Sequence, residues 1–156
     1  MMNNTFKTLT ITTTILLATI SGIVITPTTV SAQPDTKIIA QKLIANGSFV
    51  TVEQNHPTSG NARIITENGK RYLEFTEDFT TVTGPDVRVI LHRNSSIPVN
   101  VKEENYINLA ALKNVKGTQR YELPQNVNLN EFKSVGIWCR KFNVTFGYVR
   151  LALKAS

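Results

Sequence analysis

The chain has 156 residues, with 17 Lys and Arg against 11 Asp and Glu, one Cys and a formal net charge of +6. A single cysteine excludes an intramolecular disulfide, a Cys-x-x-Cys zinc ribbon and covalent c-type haem. The basic excess is scattered, with no aromatic-plus-basic motif, so nucleic acid is set aside; solvated strand faces account for most of it, an acidic partner or anionic surface for the rest.

Residues 1–32 read as a cleavable leader. Lys7 gives a positive start, residues 9–25 are apolar but diluted with threonine, Pro27 breaks the run, and Val30-Ser31-Ala32 offers small residues for cleavage. An uncleaved anchor is the competing reading, because the run approaches the lower end of the ~17–25 residues that span a bilayer. Removing the first 32 of 156 residues leaves 124, the size of one domain. That places the mature chain outside the cytoplasm, secreted or periplasmic, with no membrane segment after cleavage.

Residues 33–46 form a lead-in. Asp35 caps a short helix through Ile38, Ile39, Leu43 and Ile44, stopped at Asn46-Gly47. Such a helix is marginal without docking, and a strand is nearly as good a reading. From residue 47 to 156 the text is β. Residues 47–53 are a strand, His56-Pro57-Thr58-Ser59-Gly60 a turn, and 62–67 and 71–76 a hairpin joined at Asn68-Gly69. Gly84-Pro85-Asp86 launches a strand over 87–92. An apolar stretch covers 106–115, Gly117 turns the chain into 119–123, Pro124 ends that strand, and Asn128 with Glu131 marks one capped helical turn.

The last stretch, 134–151, is a hairpin. Val135, Ile137 and Cys139 alternate onto one face and Trp138 onto the other. Phe142, Val144 and Phe146 alternate again, but Val149, Leu151 and Leu153 are in the opposite phase. A bulge at Gly147 absorbs the slip. Short strands with Gly, Asn and Pro turns give an all-β fold class: one antiparallel β-sandwich or barrel-like domain.

Cys139 has three readings: a buried small hydrophobe, a redox or ligand group favoured by the adjacent Arg140 and Lys141, or a partner in an intermolecular disulfide. His56, in a turn, and His92, ending a strand on its less apolar face, are structural unless they ligate metal or haem. Haem or a metal stays open, but no motif supports it. Both methionines lie in the leader, so a His/Met haem pair is excluded from the mature chain. No Gly-x-Ser-x-Gly occurs, and Glu74, Glu77, Asp78 and Asp86 read as surface charge. The chain is not expected to be an enzyme by itself. Asn46, Asn94 and Asn143 open glycosylation triplets, with Asn143 the one expected to be too buried.

Several segments together resemble one family. These are Gly47-x-Phe49, His56-x-x-Ser59-Gly60, Gly84-Pro85-Asp86, Lys116-Gly117-x-Gln119-x-Tyr121-x-Leu123-Pro124, and Val135-x-Ile137-Trp138-Cys139-x-x-Phe142-x-Val144-x-Phe146-Gly147. Their order resembles the DM-thirteen domain, also found in animal proteins of the Skeletor type, over about residues 47–151. The resemblance implies a β-sandwich related in architecture to DOMON domains and an extracellular electron-transfer or redox role, with Cys139 as the redox group. His56 and His92 are then candidate helpers, and Trp138, Gly84, Pro85, Asp86, Tyr121 and Pro124 motif-supporting residues. A lone thiol needs a separate partner, an oxidoreductase or an envelope component. The alternative is a ligand- or surface-binding module in which Cys139 is core.

Overall fold

Asn68 and Gly69 reverse the chain with φ of 50° and 75°. A two-residue type I′ hairpin needs positive φ at both positions, which is why this dipeptide marks the turn. The structure, a computed structural model, describes residues 40–153. Its strands are β1 (Lys42–Thr51), β2 (Asn61–Glu67), β3 (Lys70–Phe75), β4 (Val87–His92), β5 (Tyr106–Ala111), β6 (Gln119–Leu123), β7 (Ser134–Cys139), β8 (Val144–Arg150) and β9 (Ala152–Leu153). The expected leader and residues 33–39 of the lead-in lie outside the described residues.

All the pairings are antiparallel, in the order β5-β4-β7-β8-β1-β2-β3-β6, with β9 also against β1. β1 organises this path by changing partner along its length. Lys42–Ser48 pair with β2, whereas Phe49–Thr51 pair with β8. One strand therefore belongs to two half-sheets, which fold over a shared core into a barrel-like domain. Ile64, Leu73, Phe75, Tyr121 and Leu123 enter that core from one half, and Val89, Leu91, Val135, Ile137, Phe146 and Val149 from the other. Phe75, Phe79 and Phe146 are at most 2 % exposed. Burying a side chain of this kind contributes ~2–3 kcal/mol of transfer free energy.

The helical expectation for residues 42–46 gives way to strand. Ala45 is fully buried in the shared core, and its neighbours pair with both β2 and β9. Two ladders outweigh a helix too short to hold itself. Asn46-Gly47, expected as a helix stop, lies inside β1.

The phase slip falls in β8, one residue before the Gly147 at which the sequence places it. Ile137 opposes Gly147 but Trp138 opposes Thr145, so Phe146 is the extra residue of a bulge. Gly147 stays paired and is not among the glycines with positive φ. Space is the constraint instead: a Cβ there would lie 2.6 Å from Thr58 Cβ and 2.9 Å from the Val50 carbonyl oxygen.

β4 and β7 are buried on both faces. Behind the shared core, Ile90, Ile97, Val101 and Trp138 form a second cluster with Tyr106 and Tyr148. The polar, proline-containing stretch after β4 supplies its cover through Ile97 and Val101. His92, expected on the less apolar face of its strand, is consequently 1 % exposed.

Candidate functional site

One end of the domain gathers segments that are far apart in sequence. β4 begins there, β5 and β7 end there, and β8 starts there. Cys139, the last residue of β7, pairs with Val87 on one side and Val144 on the other. It is a free thiol, 1 % exposed, within the shared core. Its side-chain direction follows the alternation that sends Val135 and Ile137 inward, as the sequence indicates.

Immediately beyond it, Arg140 is clasped to the Gly84-Pro85-Asp86 turn. The Arg140 backbone N–H donates to the Asp86 carbonyl at 2.9 Å, and its Nε donates to Asp86 Oδ2 at 2.6 Å. Arg88 Nε donates to Oδ1 of the same carboxylate at 2.5 Å. The two guanidinium groups, Arg88 first, hold the Asp86 carboxyl below its usual range. Asp86 is thus a charged latch between two strand ends. Pro85 is exposed beside it, and Gly84 lets the turn sit close to Phe146, whose Cζ would be 3.3 Å from an added Cβ.

A cleft of about 350 Å³ opens between Thr83–Val87 and residues 111–115. Its second wall is fixed by β6. The Tyr121 hydroxyl donates to Gln119 Oε1 at 2.6 Å and accepts from the Lys113 N–H at 3.0 Å. Gln119 in turn bonds the Asn114 N–H and carbonyl, and Lys113 Nζ lies 4.9 Å from the Tyr121 ring centre. Burial pushes the Tyr121 phenol up, so it stays a neutral donor.

His56 belongs to the same end. Its ring stacks on Phe146 with centroids 4.3 Å apart and planes 12° from parallel, and its Nδ1 pairs with Glu53 Oε2. That bond keeps the Glu53 carboxyl low. Trp138 faces the other way, into the second cluster, where its indole packs 5.0 Å from the Tyr106 ring.

His92 and Pro124 do not join this group. His92 pairs with Ser134, three ladder rows from Ile137, which is about 10 Å along the strands. Its Nδ1 accepts from the Asn94 N–H at 3.1 Å, and burial pushes its pKa down, so the ring is neutral and structural. Pro124 is exposed, and its carbonyl accepts from Arg71 Nη2 at 2.8 Å along with those of Gln125 and Val127. The two histidines therefore do not meet. Among the described residues, no three His, Cys, Asp or Glu side chains are grouped to hold a metal ion.

Residues that carry no motif of their own complete the end. Asn143 takes φ of 52° in the β7–β8 turn. Its Oδ1 accepts from Trp138 Nε1 at 2.9 Å and Val101 N at 3.0 Å, while its Nδ2 donates to the Val101 carbonyl at 3.1 Å. An Asn between two strand patterns is the signal that marks a left-handed turn residue. Glu74, expected as surface charge, is 9 % exposed and is held by Arg63 and Arg120 on the outside of β3. That cluster has no side chain in the Cys139 end.

Of the motif residues, His56, Gly84-Pro85-Asp86 and Phe146 meet at the Cys139 end and Tyr121 braces the cleft beside them, whereas Trp138 faces the second cluster and Gly47, Val135 and Pro124 lie away from that end. The family model described as electron transfer DM13 matches residues 48–151. No curated protein matches the chain, and no solved structure does. With two thirds of its length matched by that model and an all-β barrel-like fold carrying the matched segments, the chain belongs to the DM13 electron-transfer family.

Proposed function

We propose that this protein is an extracytoplasmic electron-transfer accessory whose redox group is the Cys139 thiol, working with a separate oxidoreductase. One observation carries the reading: His56, Gly84-Pro85-Asp86, Tyr121 and Arg140 converge from distant segments on the end of the domain that holds Cys139. The family membership supports the electron-transfer role, and the leader-like residues 1–32 support export.

The burial of Cys139 narrows the chemistry. At 1 % exposure the thiol is closed to direct exchange with a bulky disulfide, so its redox partners are a small oxidant or an electron acceptor docked outside. With no second cysteine in the chain, oxidation stops at a sulfenic acid or a mixed disulfide until an external thiol restores it.

A second reading rests on that same burial. Cys139 packs as a small hydrophobe with Val135 and Ile137, as it would in a ligand- or surface-binding module. Peroxide titration of the folded protein, with trapping of sulfenic acid and mass spectrometry, separates the two. The redox reading expects modification at Cys139 and loss of electron exchange in Cys139→Ser. An unmodified Cys139, with exchange unchanged in Cys139→Ser, sinks it and favours the binding module.

A further inference from the structure

The dipeptide Asn-Gly occurs twice in the chain, at Asn46-Gly47 and Asn68-Gly69, and the fold treats the two oppositely. Asn46 and Gly47 lie inside β1, paired with Arg63 and Ala62, and Asn46 also pairs with Ala152 on the other side. A Cβ added at Gly47 would fall 2.2 Å from the Arg150 carbonyl oxygen. Asn68 and Gly69 instead form the exposed tip between β2 and β3, outside the last rung at Glu67 and Lys70. Among the described residues, neither the Asn68 side chain nor the Gly69 N–H has a hydrogen-bond partner; the Gly69 carbonyl accepts from Gln125 Nε2 at 3.3 Å. Space at the tip is open too, since a Cβ added at Gly69 would meet nothing within 4 Å.

Asparagine is a chemically labile residue, and an unshielded nitrogen that follows it is the group it reacts with. The Gly69 nitrogen loses its proton to water and bonds to Asn68 Cγ, closing a five-membered imide. The Cγ–Nδ2 bond breaks and ammonia leaves. Water then opens the ring. Breaking the new N–Cγ bond leaves aspartate, whereas breaking the original peptide N–C bond leaves an isoaspartyl residue whose backbone runs through Cβ. No electrons change hands, and water is the only co-reactant. Ring closure requires the chain to flex, and a hairpin tip opens at far lower cost than the middle of a two-sided ladder. Gly69 has no side chain to resist that movement.

From these observations we infer that Asn68 is a site of spontaneous covalent modification, passing through an imide with Gly69 to aspartyl and isoaspartyl forms, while β1 protects Asn46. Both products place a carboxylate on the tip beside Glu67. The isoaspartyl form also adds a carbon to the backbone of a turn whose register admits only two residues. It therefore loosens the Glu67–Lys70 rung and the β2–β3 pairing. The inference is independent of the redox reading of Cys139.

The test holds the full chain, folded, in mildly alkaline water enriched in heavy oxygen and maps its peptides by mass spectrometry over time. Position 68 is expected to lose its amide, take up heavy oxygen and give both aspartyl and isoaspartyl peptides. It does so at least about 100-fold faster than position 46, which waits for its ladders to open. In urea the two rates converge. Asn68→Asp, which has the charge without the extra carbon, melts closer to the fresh protein than a sample enriched in the isoaspartyl form. An amide that stays intact at 68, or equal rates at 68 and 46 in the folded chain, overturns the inference. Aspartate formed with no isoaspartyl product removes the imide, and equal melting of the two samples removes the loosened turn.

Discussion

The indole Nε1–H of Trp138 donates to Oδ1 of Asn143 at 2.9 Å, tying the second cluster to the turn that follows Cys139. The same oxygen accepts from the Val101 N–H, so one amide pins the strand, the turn and the loop that covers them. Asn143 joins layers that no regular ladder connects.

Asn143→Ala is expected to destabilise the domain by about 3 kcal/mol. It strands the Trp138 and Val101 groups behind an apolar cover, at about 1–3 kcal/mol for each polar group left unpaired, and puts alanine, which lacks the side-chain hydrogen bonding that lets asparagine adopt it, at positive φ. Asn143→Gly relieves the backbone but does not restore the hydrogen bonds, and is expected to fall between Ala and wild type. Urea denaturation of the three proteins checks the order. Equal stability of all three would mean that water replaces the amide.

Gly147→Ala is expected to cost about 2 kcal/mol, and Gly147→Val more, although the residue has an ordinary backbone angle. The added methyl meets Thr58 Cβ at 2.6 Å and the Val50 carbonyl at 2.9 Å, and a backbone oxygen has little room to retreat. A melting temperature for Gly147→Ala within a degree or so of wild type would show that the β1–β8 edge yields.

Much of this arrangement is legible in the chain, and the missing parts share a cause. Asn68-Gly69, the face assignment of Val135, Ile137 and Cys139 against Trp138, and the slip near Gly147 all follow from local alternation or turn chemistry. The second cluster does not, because its cover is an irregular loop whose Ile97 and Val101 are isolated apolar residues in polar text. The burial of His92 is hidden for that reason, since its face is closed by a loop and not by a ladder-paired strand. The exposure of Phe142 is hidden because alternation carries no record of where a strand stops. For the site, the sequence supplies the members but not their meeting: the Asp86–Arg140 latch spans 54 positions.

Lowering the pH is expected to remove stability in two steps. Burial depresses the folded-state pKa of His92, so the unfolded chain takes up the proton first. Its contribution is full above about pH 6.5 and declines as pH falls from there to the depressed folded value. Asp86, Glu53, Glu67, Asp78 and Glu131 are also held low in the fold, so their contributions fade below about pH 4.5. His92→Gln should flatten the upper step and leave the acid step in place. Urea midpoints from about pH 8 to about pH 3, spanning these two windows, check this; an upper step that survives in His92→Gln would assign it elsewhere.

The Cys139 thiol should react with a chromogenic aromatic disulfide at least about 100-fold more slowly in the folded protein than in the denatured chain, because reaction awaits an opening of the fold. The place where it opens is the basis of the sharper expectation. Arg140 follows Cys139 directly and is held to Asp86 through its backbone N–H and its guanidinium. Asp86→Asn keeps the shape but weakens both arginine pairings, so the end of β7 frays more often. A rise of about five- to ten-fold in native reaction rate, with little change in global stability, is expected, since surface ion pairs of this kind are worth only ~0–1 kcal/mol each. A parallel rise in rate and fall in global stability would mean that Cys139 is reached only by complete unfolding. The latch would then be an ordinary surface bridge rather than the guard of the thiol.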